Sequence, residues 1–264
     1  MSGIYLSAVG MLGPGLPNWS IAREVLGGRR AYRQEPPPQP EARILPPNER
    51  RRGAKSVRWA VAAAQEALDS AGIAAAEVAT VFASSSGDGE TLHQMCETLA
   101  GPLREVSPTR FHNSVHNAAA GYWSIAAGSR QPSVTLCAHD GSFAAGLIEA
   151  AAQVRAHGAP VLLVAYDLPY PDPLAAARKI GEPLAVALLF LREPRPGTLG
   201  MWRIAICEGA SATRFPEFLP SGLCTNPAAH SLPLLAAVAR GVSETVAITY
   251  VDGCHLRVDT QPWP

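Results

Sequence analysis

The chain has 264 residues, enough to bury a full core as one large domain or two small ones. Its 22 basic and 22 acidic side chains give a formal net charge of zero, which argues against nucleic acid or an anionic membrane as a partner. Only 17% of residues are charged, low against an average of about 25%, and an Ala-heavy apolar share implies extra surface that a partner covers.

Ile4 to Val9 reads as a first strand closed by Gly10, Gly13-Pro14-Gly15 and Pro17, and a short helix follows from Trp19 to Leu26. Residues 33–47 hold six prolines, which remove amide donors and favour extended backbone. This segment is expected to be a surface loop, since too little chain precedes it to fold alone. Val57, Val61, Ala64 and Leu68 fall on one helical face, with Gly72 at the C-cap. Val78 to Ser84 reads as a buried strand, then a Ser84-Ser85-Ser86-Gly87-Asp88-Gly89 loop and a helix over 90–100.

The stretch Ser107 to Val154 collects most of the chemically suggestive residues. It predicts a loop, a helix of small residues, a short buried strand, a tight turn at Ala138-His139-Asp140-Gly141, and a second Ala-rich helix from about Ser142. Pro160 to Tyr166 is a continuous apolar run, the pattern of a strand buried on both faces. Leu184–Leu191 and Met201–Cys207 read as further strands, and Ala228–Arg240 as a helix that Pro233 forces to start there or to kink. Thr245 to Val258 reads as a hairpin with a two-residue turn at Asp252-Gly253. The order of strands and helices predicts a single domain of α/β layering over 1–264.

The five cysteines, Cys96, Cys137, Cys207, Cys224 and Cys254, are odd in number and form no CxxC pair, so neither a disulfide framework nor a zinc site is indicated. They are expected to be reduced and mostly buried. No basic and apolar leader opens the sequence and no run of 18 apolar residues occurs, so a cytoplasmic protein without a membrane span is expected. Cys137 ends a strand ahead of a helix whose N-terminus can lower a thiol pKa, but a residue still inside the strand favours a buried thiol over a nucleophile. Cys137, His139 and Asp140 sit too close together for a converging triad, and Asp140 is expected to cap the second helix while Gly141 permits the turn. His112 and His116 have the four-residue spacing of helical metal ligands, yet lack an HExxH frame and a third ligand. Ser142, with Asp167 and a later His230 or His255, follows the chain order of an α/β-hydrolase triad, although its setting is not GxSxG. The serine loop lacks the endings of a phosphate-binding loop, and no cofactor site is indicated.

Several motifs in collinear order resemble the N-terminal half of the β-ketoacyl synthases, members of the thiolase fold. They are Val9-Gly10-Met11, the helix ending Ala67-Leu68-Asp69-Ser70-Ala71-Gly72-Ile73, Asn117-Ala118-Ala119-Ala120-Gly121, Pro132-Ser133-Val134-Thr135, and the helix and strand from Ala150 to Asp167. The likeness covers roughly 1–195, leaving 196–264 as an abbreviated second half of a few strands and one helix. In active members the turn after the third strand carries the acyl-accepting Cys. Here that slot falls on Asp140 or Gly141, neither of which forms a thioester, so the resemblance implies no catalytic residue. The family's two assisting His residues have no counterpart in an HGTxT setting either.

A ketosynthase fold without these groups resembles the chain-length factors, and the wording FHNSVHNAAAGYWS, AHDGSFAAGLIEA and VAYDLPYPDPL is similar to the short chain-length-factor-like subunits of aryl polyene and xanthomonadin-type pathways. The resemblance implies a non-catalytic subunit of a fatty-acid or polyketide-like system that forms a heterodimer with an active ketosynthase and meets acyl carrier protein only indirectly. It also implies that Ser133, Val134, Thr135 and Leu136 form an interface strand, and that Phe111, His116, Tyr122 and Trp123 form or support the floor of the partner's acyl pocket. Within enzymes, the alternatives are a condensing enzyme using Cys137 and a hydrolase or acyltransferase using Ser142.

Overall fold

The computed structural model describes residues 3–37 and 39–264. In chain order the elements are β1 (Ile4–Leu12), α1 (Trp19–Leu26), α2 (Pro47–Arg52), α3 (Lys55–Ala71), β2 (Ala79–Ala83), α4 (Gly89–Ala100), α5 (Pro108–Ser114), α6 (Ala118–Ala127) and β3 (Ser133–Leu136). There follow α7 (Ser142–His157), β4 (Val161–Asp167), α8 (Leu174–Ala177), β5 (Leu184–Leu191), β6 (Gly200–Glu208), α9 (Ser221–Cys224), α10 (Leu232–Arg240), β7 (Glu244–Thr249) and β8 (Cys254–Pro262). One eight-stranded sheet in the order β3-β2-β4-β5-β1-β6-β8-β7 runs through the chain. The pairs β3·β2 and β2·β4 are parallel, and the remaining pairs are antiparallel.

Helices cover both faces of the inner strands. Val161, Leu163 and Ala165 of β4 face a core shared with α1, α7 and α10, while Leu162, Val164 and Tyr166 face α3 and α6 on the other side. This period-2 alternation between two apolar layers is why β4 and β5 read as unbroken apolar runs. In β1 the alternation changes phase: Ile4 and Leu6 share a layer with Val9 and Met11, because the register against β5 shifts between Leu6 and Ala8. A one-residue bulge of this kind turns every later side chain to the opposite face.

The α1 and α3 expectations hold, with Gly72 in the left-handed region at φ 63° closing α3. Pro233 stands at the start of α10, preceded by a 3-10 turn over Pro227–Ser231. Three expectations are corrected. The proline-rich segment is a loop, but it tucks Ala42 and Leu45 into the core and gives way to α2, which starts on a proline at a position where the missing amide costs nothing. The β7–β8 connection is the four residues Tyr250 to Gly253 rather than two. The thiols are not mostly buried: Cys96 and Cys137 are exposed and the other three half-buried, all of them free. No helix among the described residues is long and apolar enough to cross a membrane.

Candidate functional site

The carboxyl ends of β2, β3 and β4 converge on a polar network. Asp167 ends β4 only 2% exposed, and its Oδ1 accepts from Ser84 Oγ (3.1 Å), the Ser85 amide (2.9 Å) and Ser85 Oγ (2.6 Å). Burial pushes the Asp167 pKa up to about 7, against the lowering pull of those hydrogen bonds and of the Arg178 guanidinium. Tyr170 OH lies 2.5 Å from Ser86 Oγ, and Asn226 donates to the Asp167 carbonyl at 2.8 Å. The serine loop is thus occupied by its own side chains, and Asp88 caps α4 through the Thr91 amide.

The turn after β3 sits beside this network. Its left-handed residue is His139 at φ 50°, not Gly141. Gly141 is required for another reason: a Cβ there would meet the Tyr250 backbone, standing 3.1 Å from its carbonyl carbon and closer still to the oxygen. The β7–β8 loop therefore lies directly on the turn. Asp140 does not cap α7, whose N-cap is Gly141 with no side-chain hydrogen bond. Its carboxylate instead pairs with Arg178 at 2.7 Å and with His139 at 3.4 Å, and Arg178 also reaches the His139 ring. A cleft of about 860 Å³ opens here, lined by His139, Asp140, Ser211, Tyr250, Asp252 and Cys254.

None of the nucleophile arrangements is assembled. Cys137 is exposed rather than buried, and its thiol donates to the Ser85 carbonyl at 2.8 Å. Ser142 is 2% exposed, donates to the His139 carbonyl at 2.7 Å and accepts from the Ala138 amide at 3.0 Å, so its hydroxyl braces the turn. Asp167 is engaged by Ser84 and Ser85, His230 packs on Phe215 with burial lowering its pKa, and His255 bonds the Gly209 carbonyl at 2.8 Å. The hydrolase trio is therefore dispersed. His112 and His116 do not share a helix, because α5 ends at Ser114: His112 packs edge-on to Tyr122 and His116 lies 3.3 Å from the Ser84 carbonyl.

Beside the turn, β3 is an edge strand. The carbonyls of Pro132 and Leu136 accept from the Thr80 and Ser84 amides, so by strand alternation the peptide groups of Ser133 and Thr135 face the open side. Of eleven large apolar side chains exposed among the described residues, six lie between Leu92 and Ile125: Leu92, Leu99, Leu103, Phe111, Val115 and Ile125. α4 buries none of its apolar residues. Of the four residues expected at the pocket floor, Phe111 is 63% exposed and His116 half-buried, while Tyr122 (2%) and Trp123 (0%) belong to this chain's own core.

Arg178, Asn226 and Tyr170 were not legible as site residues. Each acts across more than thirty residues of sequence, and only Asn226, an Asn-Pro before a helix, carries a local signal.

Residues 27–242 match the family model described as beta-ketoacyl synthase, N-terminal domain. No curated protein matches the sequence. Among solved structures, the chain is similar to one from the complex of the ketosynthase ApeO with its chain length factor ApeC from Xenorhabdus doucetiae, with a TM-score of 0.73, 22% identity, and coverage of 97% of this chain and 99% of that one. It is also similar to the ishigamide ketosynthase/chain length factor, with a TM-score of 0.74, 12% identity and coverage of 99% and 100%. Against the ketosynthase from module 1 of the Bacillus amyloliquefaciens bacillaene synthase the TM-score is 0.58 at 14% identity, covering 79% of this chain but 47% of that one. These likenesses establish a thiolase-like ketosynthase fold.

Proposed function

The chain belongs to the β-ketoacyl synthase family, and from that premise we propose that it is a non-catalytic chain-length-factor subunit. It forms a heterodimer with an active ketosynthase and shapes that enzyme's acyl tunnel in an aryl polyene or related type II pathway, with acyl carrier protein serving the complex through the ketosynthase. The observations that carry this reading are the open edge of β3 and the six exposed apolar side chains between Leu92 and Ile125, features a lone soluble chain rarely leaves bare. The peptide groups of Ser133 and Thr135 are free to continue the sheet into a second subunit.

Two features oppose catalysis by this chain. The slot in which the family has its nucleophile falls on Asp140, which is in an ion pair, or on Gly141, which is pressed against the β7–β8 loop. Cys137, the only thiol at the turn, spends its proton on a carbonyl and has no histidine among its hydrogen-bond partners. A nucleophilic thiolate needs a base or a cation beside it.

The test is co-expression with a ketosynthase subunit from the same genome neighbourhood. Thr135→Pro removes an open-side amide without touching the β2 ladder and is expected to abolish the 1:1 complex, whereas Phe111→Ala leaves the complex intact and changes product length. Unchanged lengths in an intact Phe111→Ala complex sink the tunnel role. Incubating the isolated chain with an acyl carrier protein thioester should give no covalent adduct; an acyl group on Cys137 makes it a condensing enzyme instead.

A further inference from the structure

The helix that carries Phe111 has little of its own to hold it. At seven residues α5 is shorter than the roughly 12–15 at which an isolated helix is even marginally stable. Its N-cap, Ser107, makes no side-chain hydrogen bond, and Asn113 is its one buried residue. Tertiary contacts must therefore fix its position, and it rests against α4 and α6.

Asn113 is 6% exposed, and its Nδ2 donates to the Arg52 carbonyl at 2.7 Å. That carbonyl is the last of α2, for which the helix has no amide of its own, so Asn113 caps α2 across 61 residues of sequence. The same side chain lies beside the Tyr122 hydroxyl of α6, whose pKa is raised by burial and by Glu49 against the opposing pull of Arg52 and Asn113. The neighbouring His112 meets the Tyr122 ring edge-on at 5.4 Å. Two adjacent residues thus tie α5 to α2 and to α6. The Asn113 Oδ1, by contrast, has no partner among the described residues. A leucine of similar size would fill the space without a stranded acceptor, so what the amide contributes is its donor.

Successive helix residues are about 100° apart, which puts residues 111 and 113 about 200° apart, on opposite faces. Burying Asn113 therefore turns Phe111 outward, in accord with its 63% exposure. We propose that Asn113 is a positioning residue that sets where Phe111 stands, and through it the product length of the heterodimer. The inference rests on the tunnel role proposed for Phe111. The bond to Arg52 fixes the depth of α5 and the His112 contact fixes its rotation, so the aromatic ring projects from a fixed platform. Without the donor α5 keeps no buried anchor, and the ring no longer closes the tunnel at one length.

Asn113→Asp keeps the shape and removes the donor. In the full chain alone, hydrogen exchange followed by mass spectrometry should show the α5 amides exchanging about tenfold faster, the worth of one such hydrogen bond, while α3 and α6 keep their rates. Unchanged exchange in α5 overturns the proposal. Equal acceleration in α3 and α6 overturns it too, because Asn113 is then a support of the whole fold. In the co-expressed heterodimer, Asn113→Asp should cut the share of wild-type-length product by about twofold or more, shifting lengths in the same direction as Phe111→Ala. Combined with Phe111→Ala it should change nothing further, since it acts through that ring. A further shift in the double variant overturns the proposal, as do unchanged lengths in Asn113→Asp where Phe111→Ala shifts them; the tunnel reading then stands. Unchanged lengths in Phe111→Ala defeat the tunnel reading itself and the proposal with it. If Asn113→Asp forms no complex, the smaller and uncharged Asn113→Ser replaces it in both measurements, and loss of the complex with both overturns the proposal, because Asn113 then serves assembly.

Discussion

Replacing Gly141 by Ala isolates the contact between the turn and the β7–β8 loop. The added Cβ would stand 3.1 Å from the Tyr250 carbonyl carbon and nearer to its oxygen, and the obstacle is backbone, which cannot rotate away. The Tyr250–Gly253 loop must retract by about 1 Å, the kind of overpacking that costs roughly 1–3 kcal/mol. For a chain of this size each kcal/mol moves the melting temperature by about 2–4 °C, so thermal denaturation followed by circular dichroism should show a fall of about 2–12 °C. Gly121→Ala is the matched control: Gly121 lies in α6 with nothing within 4 Å of its built Cβ. There Ala is expected to add about 0.5–1 kcal/mol, because a helix interior disfavours glycine. A Gly141→Ala melt within about 1 °C of wild type would mean that the loop does not rest on the turn. The same contact bears on catalysis, since a Cys placed at 141 would carry this Cβ into the Tyr250 backbone before its sulfur reached any substrate.

Three further substitutions test the rest of the structure. The Asp167 pKa is raised from 3.8 to about 7, so its neutral form is the one the fold favours, and the stability it contributes is full below pH 4 and lost as pH rises through 7. Asp167→Asn keeps a neutral acceptor for Ser84 and Ser85, so melting curves between pH 4 and pH 8 should show the variant gaining on wild type as pH rises; parallel curves contradict the assignment. Glu66, whose pKa burial raises against two backbone hydrogen bonds, accepts the Met11 amide at 2.8 Å and the Trp19 amide at 2.6 Å, one on each oxygen. Glu66→Gln strands one of them and should cost about 1–3 kcal/mol in denaturant unfolding. Trp123→Ala empties a fully buried site and should cost about 3–5 kcal/mol, whereas Phe111→Ala, at a 63% exposed residue, should leave the unfolding midpoint in place.

The frame of the fold was legible because its signals are local. The apolar runs of β4 and β5, the helical spacing of Val57, Val61, Ala64 and Leu68, and Gly72 at their end each specify an element without reference to the rest of the chain. What the turn does was not legible. Asp140 looked like a helix cap because Asp before an Ala-rich helix usually is one, and only the distant Arg178 makes it an ion-pair partner. Cys137 looked buried because thiols usually are, yet β3 has a neighbour on one side only, and strand order cannot be deduced from a strand's own residues. Phe111 and Trp123 were grouped by sequence proximity, and the helices carry them to opposite fates, one to the surface and one to the core.

The residues of the turn also fix the end of β3. β3 is four residues long and has one neighbour, too little to fix its position by ladder alone. The residues after it supply what the ladder lacks: Cys137 bonds the Ser85 carbonyl, Ser142 bridges Ala138 and His139, and Arg178 pairs with Asp140. Each is a bond at the end of the strand. In an enzyme such a turn must present a side chain to substrate. Here Cys137 and Ser142 bond the backbone, the exposed Asp140 is paired with Arg178, and the open edge of β3 beside them is what the proposed heterodimer would use.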